Sequence, residues 1–235
     1  MLDTPRNPMS LLAIGAICAL IGGIAGWGVQ YATSDRLIHD YIVSHPDVLP
    51  EAMANLHQQD DTRQLAGMRG DIEKPWPGAV LGNPNGKQIL VEFADYACGY
   101  CRRSVADIEQ LTASHPDLKV VMRELPILTP ASTDAAKMAL AAAAQGRYAA
   151  FHKAMFEIGH PDAGTIAQAA AAAGLDMARA RQTIADPATE AEIERNLEFA
   201  RRLGFAGTPS WIAGDRLLSG ALGAEAIARA LDRKG

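Results

Sequence analysis

Cysteine is scarce in this chain: three among 235 residues, at Cys18, Cys98 and Cys101. Cys18 lies in an N-terminal apolar run and cannot easily meet the other two. One candidate pair remains, which is too few for a disulfide-stapled scaffold. A second C-x-x-C is missing. The histidines (His39, His45, His57, His115, His152 and His160) are scattered, read as surface or packing residues, and do not pair at ligand spacing. A structural zinc needs four ligands, so the sequence offers no closed metal site. Basic blocks are also absent: 22 Lys and Arg are dispersed against 27 Asp and Glu, for a net charge of -5. That removes the electrostatic footprint of a nucleic-acid binder. No internal repeat is visible, and the alanine runs are helix formers rather than disordered tracts. With 49% hydrophobic residues, the chain suits one medium domain with a core plus an appendage.

One long apolar run is present. Met9 to Ala32 carries no charge, and a membrane span needs about 20 such residues where a signal-peptide core has about 7–15. No small-x-small cleavage site follows it, and Ile17 before Cys18 does not suit lipidation. The run therefore reads as an uncleaved transmembrane signal-anchor over 9–32 behind a short tail, 1–8. The flanking charges, Asp3, Arg6, Asp35 and Arg36, give almost no positive-inside bias. Gly22 and Gly26 form a G-x-x-x-G, a spacing that permits close helix packing in a bilayer.

Residues 33–77 read as a helical stalk followed by a linker. Leu37, Ile38, Tyr41 and Ile42 form one stripe. After "SHPD", Val48, Leu49, Ala52, Met53 and Leu56 form another, with Asp47 as a cap and Pro50 in the first turn. These helices either pack on the main domain or associate with copies of themselves. From His57 to Pro77 the chain is polar and then Pro/Gly-punctuated. Strand signals begin at Gly78: two β-type runs surround "GNPNG", and Ile89, Leu90, Val91 and Phe93 suggest a buried strand. Val105, Ile108 and Leu111 then recur at helical spacing, and "LKVVMREL" is a second buried strand. This is a βαβ unit with the cysteine pair where strand turns into helix. A long alanine-rich helical stretch follows, with Gly146, Gly174 and Gly204 as stops and Asp134, Asp162 and Asp176 near starts. Two short strands around "AGD" and a last helix, "GAEAIARALDRK", close the chain.

A helix start favours a thiolate, because unpaired N–H groups and the helix dipole point at it. Cys98 would be the attacking thiol, and Cys101, one turn on, the resolving one. The spacing suits reversible thiol–disulfide exchange. Half a metal site and a packed structural turn are the competing readings. Arg102 and Arg103 either add positive potential or form a solvated helix face.

From about Ala79 to its C-terminus the chain resembles the DsbA-like branch of the thioredoxin superfamily. The resemblance rests on "VEFADYACGYC", "VVMRELPIL", a long helical insertion and "GFAGTPSWI", in that order. It implies an α/β thioredoxin fold over 78–235 with a helical domain inserted at about 131–204. It makes Cys98 the nucleophile, Cys101 the resolving thiol, and Thr208–Pro209 a cis-proline loop that faces them, pairs with substrate and keeps metals off. It also implies that Glu92 lies beneath the redox pair and takes part in proton transfer. Arg123 on the next strand is a candidate partner, and a solvent-facing Glu92 is the alternative. No cofactor is implied beyond the Cys98–Cys101 disulfide.

The direction of exchange is less determined. Gly99-Tyr100 makes the "CGYC" of the dimeric isomerase DsbC, Thr208 also matches the isomerases, and the 34–56 segment is similar to the stalk of ScsC-like proteins. These lean toward an isomerase or reductase, with a DsbA-type oxidase as the alternative and a redox-linked copper-binding or protective protein as a second. Expected partners are cysteine-containing exported proteins and a membrane redox protein, either a DsbD/ScsB-like reductant or a DsbB-like oxidant. Expected location is the inner membrane, single-pass, with the catalytic domain in the periplasm.

Overall fold

The computed structural model describes residues 8–232. Contacts divide the chain into two units, 1–57 and 58–235. The first holds helix α1 (Pro8–Ser44) and the start of α2 (Val48–Leu65). The break between them falls at the expected "SHPD", but α1 runs on through residue 34, where a boundary was expected. Among the described residues no helix is long and apolar enough to cross a membrane. The anchor expected over 9–32 is therefore not supported. The side chains of residues 9–14, 25 and 29–32 within that run lie outside the described set.

The second unit is built on a five-stranded sheet of order β1-β3-β2-β4-β5: β1 (Val80–Gly82), β2 (Gln88–Ala94), β3 (Leu118–Glu124), β4 (Ser210–Ala213) and β5 (Arg216–Ser219). Only β2 and β3 are parallel. Parallel neighbours need a crossover, supplied by α4 (Gly99–Ser114). Side chains alternate along each strand, so the sheet feeds two cores. Leu90, Val120 and Met122 face one, which contains Ile108 and Leu111 of α4 and Ile227 of α10 (Ala224–Asp232). Val91, Phe93 and Val121 face the other.

The helical insertion is α5 (Pro130–Ala144), α6 (Tyr148–Ile158), α7 (Ala163–Ala172), α8 (Met177–Ala185) and α9 (Pro187–Arg202). Its punctuation follows local chemistry. Gly146, Gly174 and Gly204 have φ near +70°, open to glycine at little cost. Asp162 and Asp176 cap α7 and α8 by accepting first-turn N–H groups with their side chains. Asp134 is instead inside α5, whose cap is Thr129 in a reciprocal box with Ser132. The buried alanines of α5, such as Ala139 and Ala142, let neighbouring helices approach closely.

All of the expected linker, 57–77, beyond its first residue is a structured part of the second unit. Helix continues to Leu65, and a short α3 (Arg69–Ile72) follows. Leu65, Met68 and Ile72 are buried in the second core with Phe199 of α9 and Leu203 at its C-cap. At the outer edge of the sheet, Leu217 N–H of β5 donates to the Asp61 carboxylate at 3.0 Å. The polar residues around them conceal these three apolar anchors in the sequence.

Candidate active site

Strand β2 ends at Ala94, and the chain turns through Asp95, Tyr96 and Ala97 before α4 begins. Cys98 is the N-cap of α4: its backbone is extended (φ −84°, ψ 116°), and its Sγ accepts the Cys101 N–H at 3.4 Å. A cap position aims free helical N–H groups at the capping atom, so Sγ sits where negative charge is favoured. Cys98 is 7% exposed and Cys101 1% exposed, and both are free thiols. Cys98 is thus the more exposed of the two sulfurs, and Cys101 lies behind it. Burial, reinforced by the charge of Glu92, pushes the Cys101 thiol well up.

The Thr208–Pro209 peptide is cis, as expected. Its loop lies against the cysteines, because Cys98 Sγ–H donates to Thr208 O at 3.1 Å. Tyr100, Gly207, Thr208, Pro209, Ser210 and Gly220 line an open groove of about 340 Å³ beside it. Tyr100 is 58% exposed, with the Arg103 guanidinium 4.5 Å over its ring. Arg103 thus has a specific contact as well as a solvated face.

Glu92 points inward, toward α4. Its Oε1 accepts the Ser104 hydroxyl at 2.7 Å, and its Oε2 is buried without a partner. Burial raises its pKa to about 8; the Ser104 hydrogen bond opposes this and Asp107 adds to it. The expected Glu92–Arg123 pair does not form, and register explains why. Glu92 lies opposite Met122, and Arg123 opposite Phe93, so the two side chains leave the sheet on opposite faces. Arg123 instead meets Glu192 at 2.5 Å and Asn196 at 3.1 Å, and donates to the carbonyls of Asp71, Ile72 and Lys74. It is a structural clasp between β3, α9 and the end of α3.

The sequence reading missed a second buried acid and its surroundings. Glu124, at the end of β3, accepts the Tyr148 hydroxyl at 2.7 Å and the Tyr96 hydroxyl at 3.4 Å. Tyr96 also meets His152 Nδ1 at 3.2 Å. Burial raises Glu124 to about 8, against the Tyr148 bond, and lowers His152 to about 4. His152 had been read as a surface or packing residue. Its i, i+4 spacing from Tyr148 on one face of α6 was the available signal. Among the described residues no group of three or more His, Cys, Asp or Glu is placed to hold a metal ion.

A thiol poised at a helix start, with a second thiol one turn behind it, is equipped to open a disulfide and then to leave it. The sheet order and the cysteine pair at the start of α4 together give a thioredoxin architecture. The chain belongs to the DSBA-like thioredoxin domain family, whose description matches residues 89–232. A thioredoxin-like oxidoreductase from Silicibacter pomeroyi is 39% identical, with a TM-score of 0.63 over 66% of this chain and 90% of that one. The thiol-disulfide exchange protein α-DsbA2 from Wolbachia pipientis is 30% identical, with a TM-score of 0.68 over 74% and 96%. A linker-deletion variant of Proteus mirabilis ScsC is 25% identical, with a TM-score of 0.67 over 86% and 93%. Among curated proteins, the Na(+)/H(+) antiporter NhaA 3 of Salinispora tropica is 28% identical over 157 residues, 65% of this chain and 24% of its own length. The chain thus spans about a quarter of the length of the curated relatives it matches.

Proposed function

We propose that the chain exchanges disulfides with cysteines of exported proteins, outside the cytoplasm, and works as an isomerase or reductase. The observation that carries this is Cys98 at the cap of α4, bonded to Cys101 N–H and facing the cis-Pro209 loop. The Cys98 thiolate attacks one sulfur of a substrate disulfide. The substrate S–S bond breaks, a Cys98 mixed disulfide forms, and the released substrate thiolate takes up a proton. In isomerisation, another substrate thiol then displaces Cys98. In reduction, the ionised fraction of Glu92, the minor form below about pH 8, takes the Cys101 proton, and Cys101 attacks Cys98 Sγ. The substrate leaves as a thiol and a Cys98–Cys101 disulfide forms, which needs two electrons from a membrane reductant before the next turnover. A carboxyl with a pKa of about 8 is suited to passing a proton near neutral pH.

Support for this direction comes from the "CGYC" dipeptide and Thr208, both matching isomerases. An extracytoplasmic location follows from the chemistry, since disulfides persist in oxidising compartments. Leu37, Ile38, Tyr41, Leu49, Met53 and Leu56 are exposed. We assign their cover to further copies of this chain, which would gather several active sites around one substrate. Alkylation of Cys98 and Cys101 with a mass tag after acid quenching of intact cells tests the direction. A mostly reduced pair supports it, and a mostly oxidised pair assigns the oxidase role instead.

A further inference from the structure

Asp95 bonds both to the redox turn and to a loop beyond β3. Its carbonyl accepts the Cys98 N–H at 3.0 Å, and its Oδ1 accepts the Ala97 N–H at 2.8 Å. Its Oδ2 accepts the N–H groups of both Ile127 and Leu128, each at 2.9 Å. Those two residues are remote in sequence and lie beyond the end of β3 at Glu124, where the sheet no longer pairs the backbone. Their side chains are 41% and 50% exposed, so core packing does not fix the loop. Asp95 itself is buried, and a buried carboxylate that accepts three N–H bonds is a strong tether.

We infer that Asp95 is a positioning residue for exchange with protein substrates: its carboxylate fastens the Ile127–Leu128 loop to the turn that presents Cys98. The inference rests on the disulfide-exchange reading above. The occupant of the fastened face is the extended apolar segment flanking a substrate cysteine. An extended segment whose cysteine sits at Cys98 meets the groove beside Pro209 and the apolar pair Ile127 and Leu128, both joined to the same turn. An unfastened loop would leave Cys98 reactive but deprive a polypeptide of that contact. The tether needs acceptors on both oxygens. Asparagine supplies one acceptor oxygen and, in place of the other, an NH2 that only donates, so it satisfies either Ala97 or the Ile127–Leu128 pair, never both. Asp95→Asn is therefore a disruptive change despite its shape.

The test uses the full chain and two substrates: a small aromatic disulfide, and scrambled ribonuclease as an unfolded disulfide-bonded protein. The readout is the ratio of kcat/KM for protein to the rate constant for the small disulfide. Asp95→Asn and Asp95→Ser are expected to lower this ratio about tenfold, mainly through KM for the protein. Ile127→Ser/Leu128→Ser, which leaves the Asp95 bonds in place on an exposed surface, is expected to lower it similarly. A merely structural role would depress both rates together and leave the ratio unchanged, which overturns the inference. If the Asp95 variants do not fold, the double variant decides alone: an unchanged ratio there also overturns it. Failure of the wild-type chain on both substrates would remove the disulfide-exchange reading itself, a distinct outcome.

Discussion

Replacing Glu92 with glutamine should stabilise the protein at neutral pH while slowing it. The carboxyl titrates near pH 4.5 in the unfolded chain and at about 8 in the folded one. A raised acid binds its proton more tightly when folded, so below pH 4.5 it costs nothing. Between 4.5 and 8 the unfolded state releases the proton and the folded state does not, and stability falls as pH rises. Each pH unit in that window is worth about 1.4 kcal/mol. The expected penalty is thus under about 1 kcal/mol at pH 5 and on the order of 3 kcal/mol at pH 7. The glutamine amide keeps an acceptor for the Ser104 hydroxyl and never ionises, so the variant escapes the penalty. Glu124 is raised in the same direction but is present in both proteins and largely cancels in the difference. Urea unfolding under reducing conditions at pH 5 and 7 measures it. Equal stabilities at both pH values, or a gap that does not widen with pH, would refute the reasoning. The same variant should release substrate from the mixed disulfide at least about tenfold more slowly, because Cys101 loses its proton acceptor.

Cys98→Ser should abolish exchange, and Cys101→Ser should accumulate substrate mixed disulfides on non-reducing gels; retained reductase activity in Cys98→Ser would contradict the assignment of the nucleophile. Arg123→Met removes the buried partner of Glu192 Oε1, leaving Glu192 only the half-exposed Arg195, and strands three carbonyls, so a loss of about 3 kcal/mol is expected by urea unfolding. Adding Glu192→Gln should restore part of that loss, and no recovery would argue against a buried ion pair as the cause. Gly78→Ala should cost about 2 kcal/mol or more. Its φ is +86° and an added Cβ would stand 2.2 Å from Ala143 O; a thermal midpoint unchanged from wild type would show that this turn relaxes freely.

What the sequence made legible was what short-range chemistry controls. The cysteine pair between strand and helix, the glycine stops and the Asp162 and Asp176 caps each depend on a few neighbouring residues. The Glu92–Arg123 pairing failed because strand register is a long-range property. A shift of one residue moves a side chain to the other face of the sheet, and nothing within "VEFAD" or "VVMRE" encodes that shift. Asp95 was hidden for the same reason, since its main partners are 32 and 33 residues away. Residues 57–77 looked like a linker because their charge masked Leu65, Met68 and Ile72. Those three cover an apolar sheet face that only the folded chain displays.

That cover changes where the catalytic unit begins. The Asp61 carboxylate closes the free edge of β5 by taking the Leu217 N–H, and Leu65, Met68 and Ile72 roof Phe93 and Val121. A fragment cut at Gly78, where the strands start, would keep both thiols and the cis-proline loop. It would also present a bare strand edge and an unroofed apolar sheet, the combination that recruits other chains into sheet-to-sheet aggregation. The helix ahead of the first strand therefore serves as a solubility element of the catalytic unit, whatever its other half does.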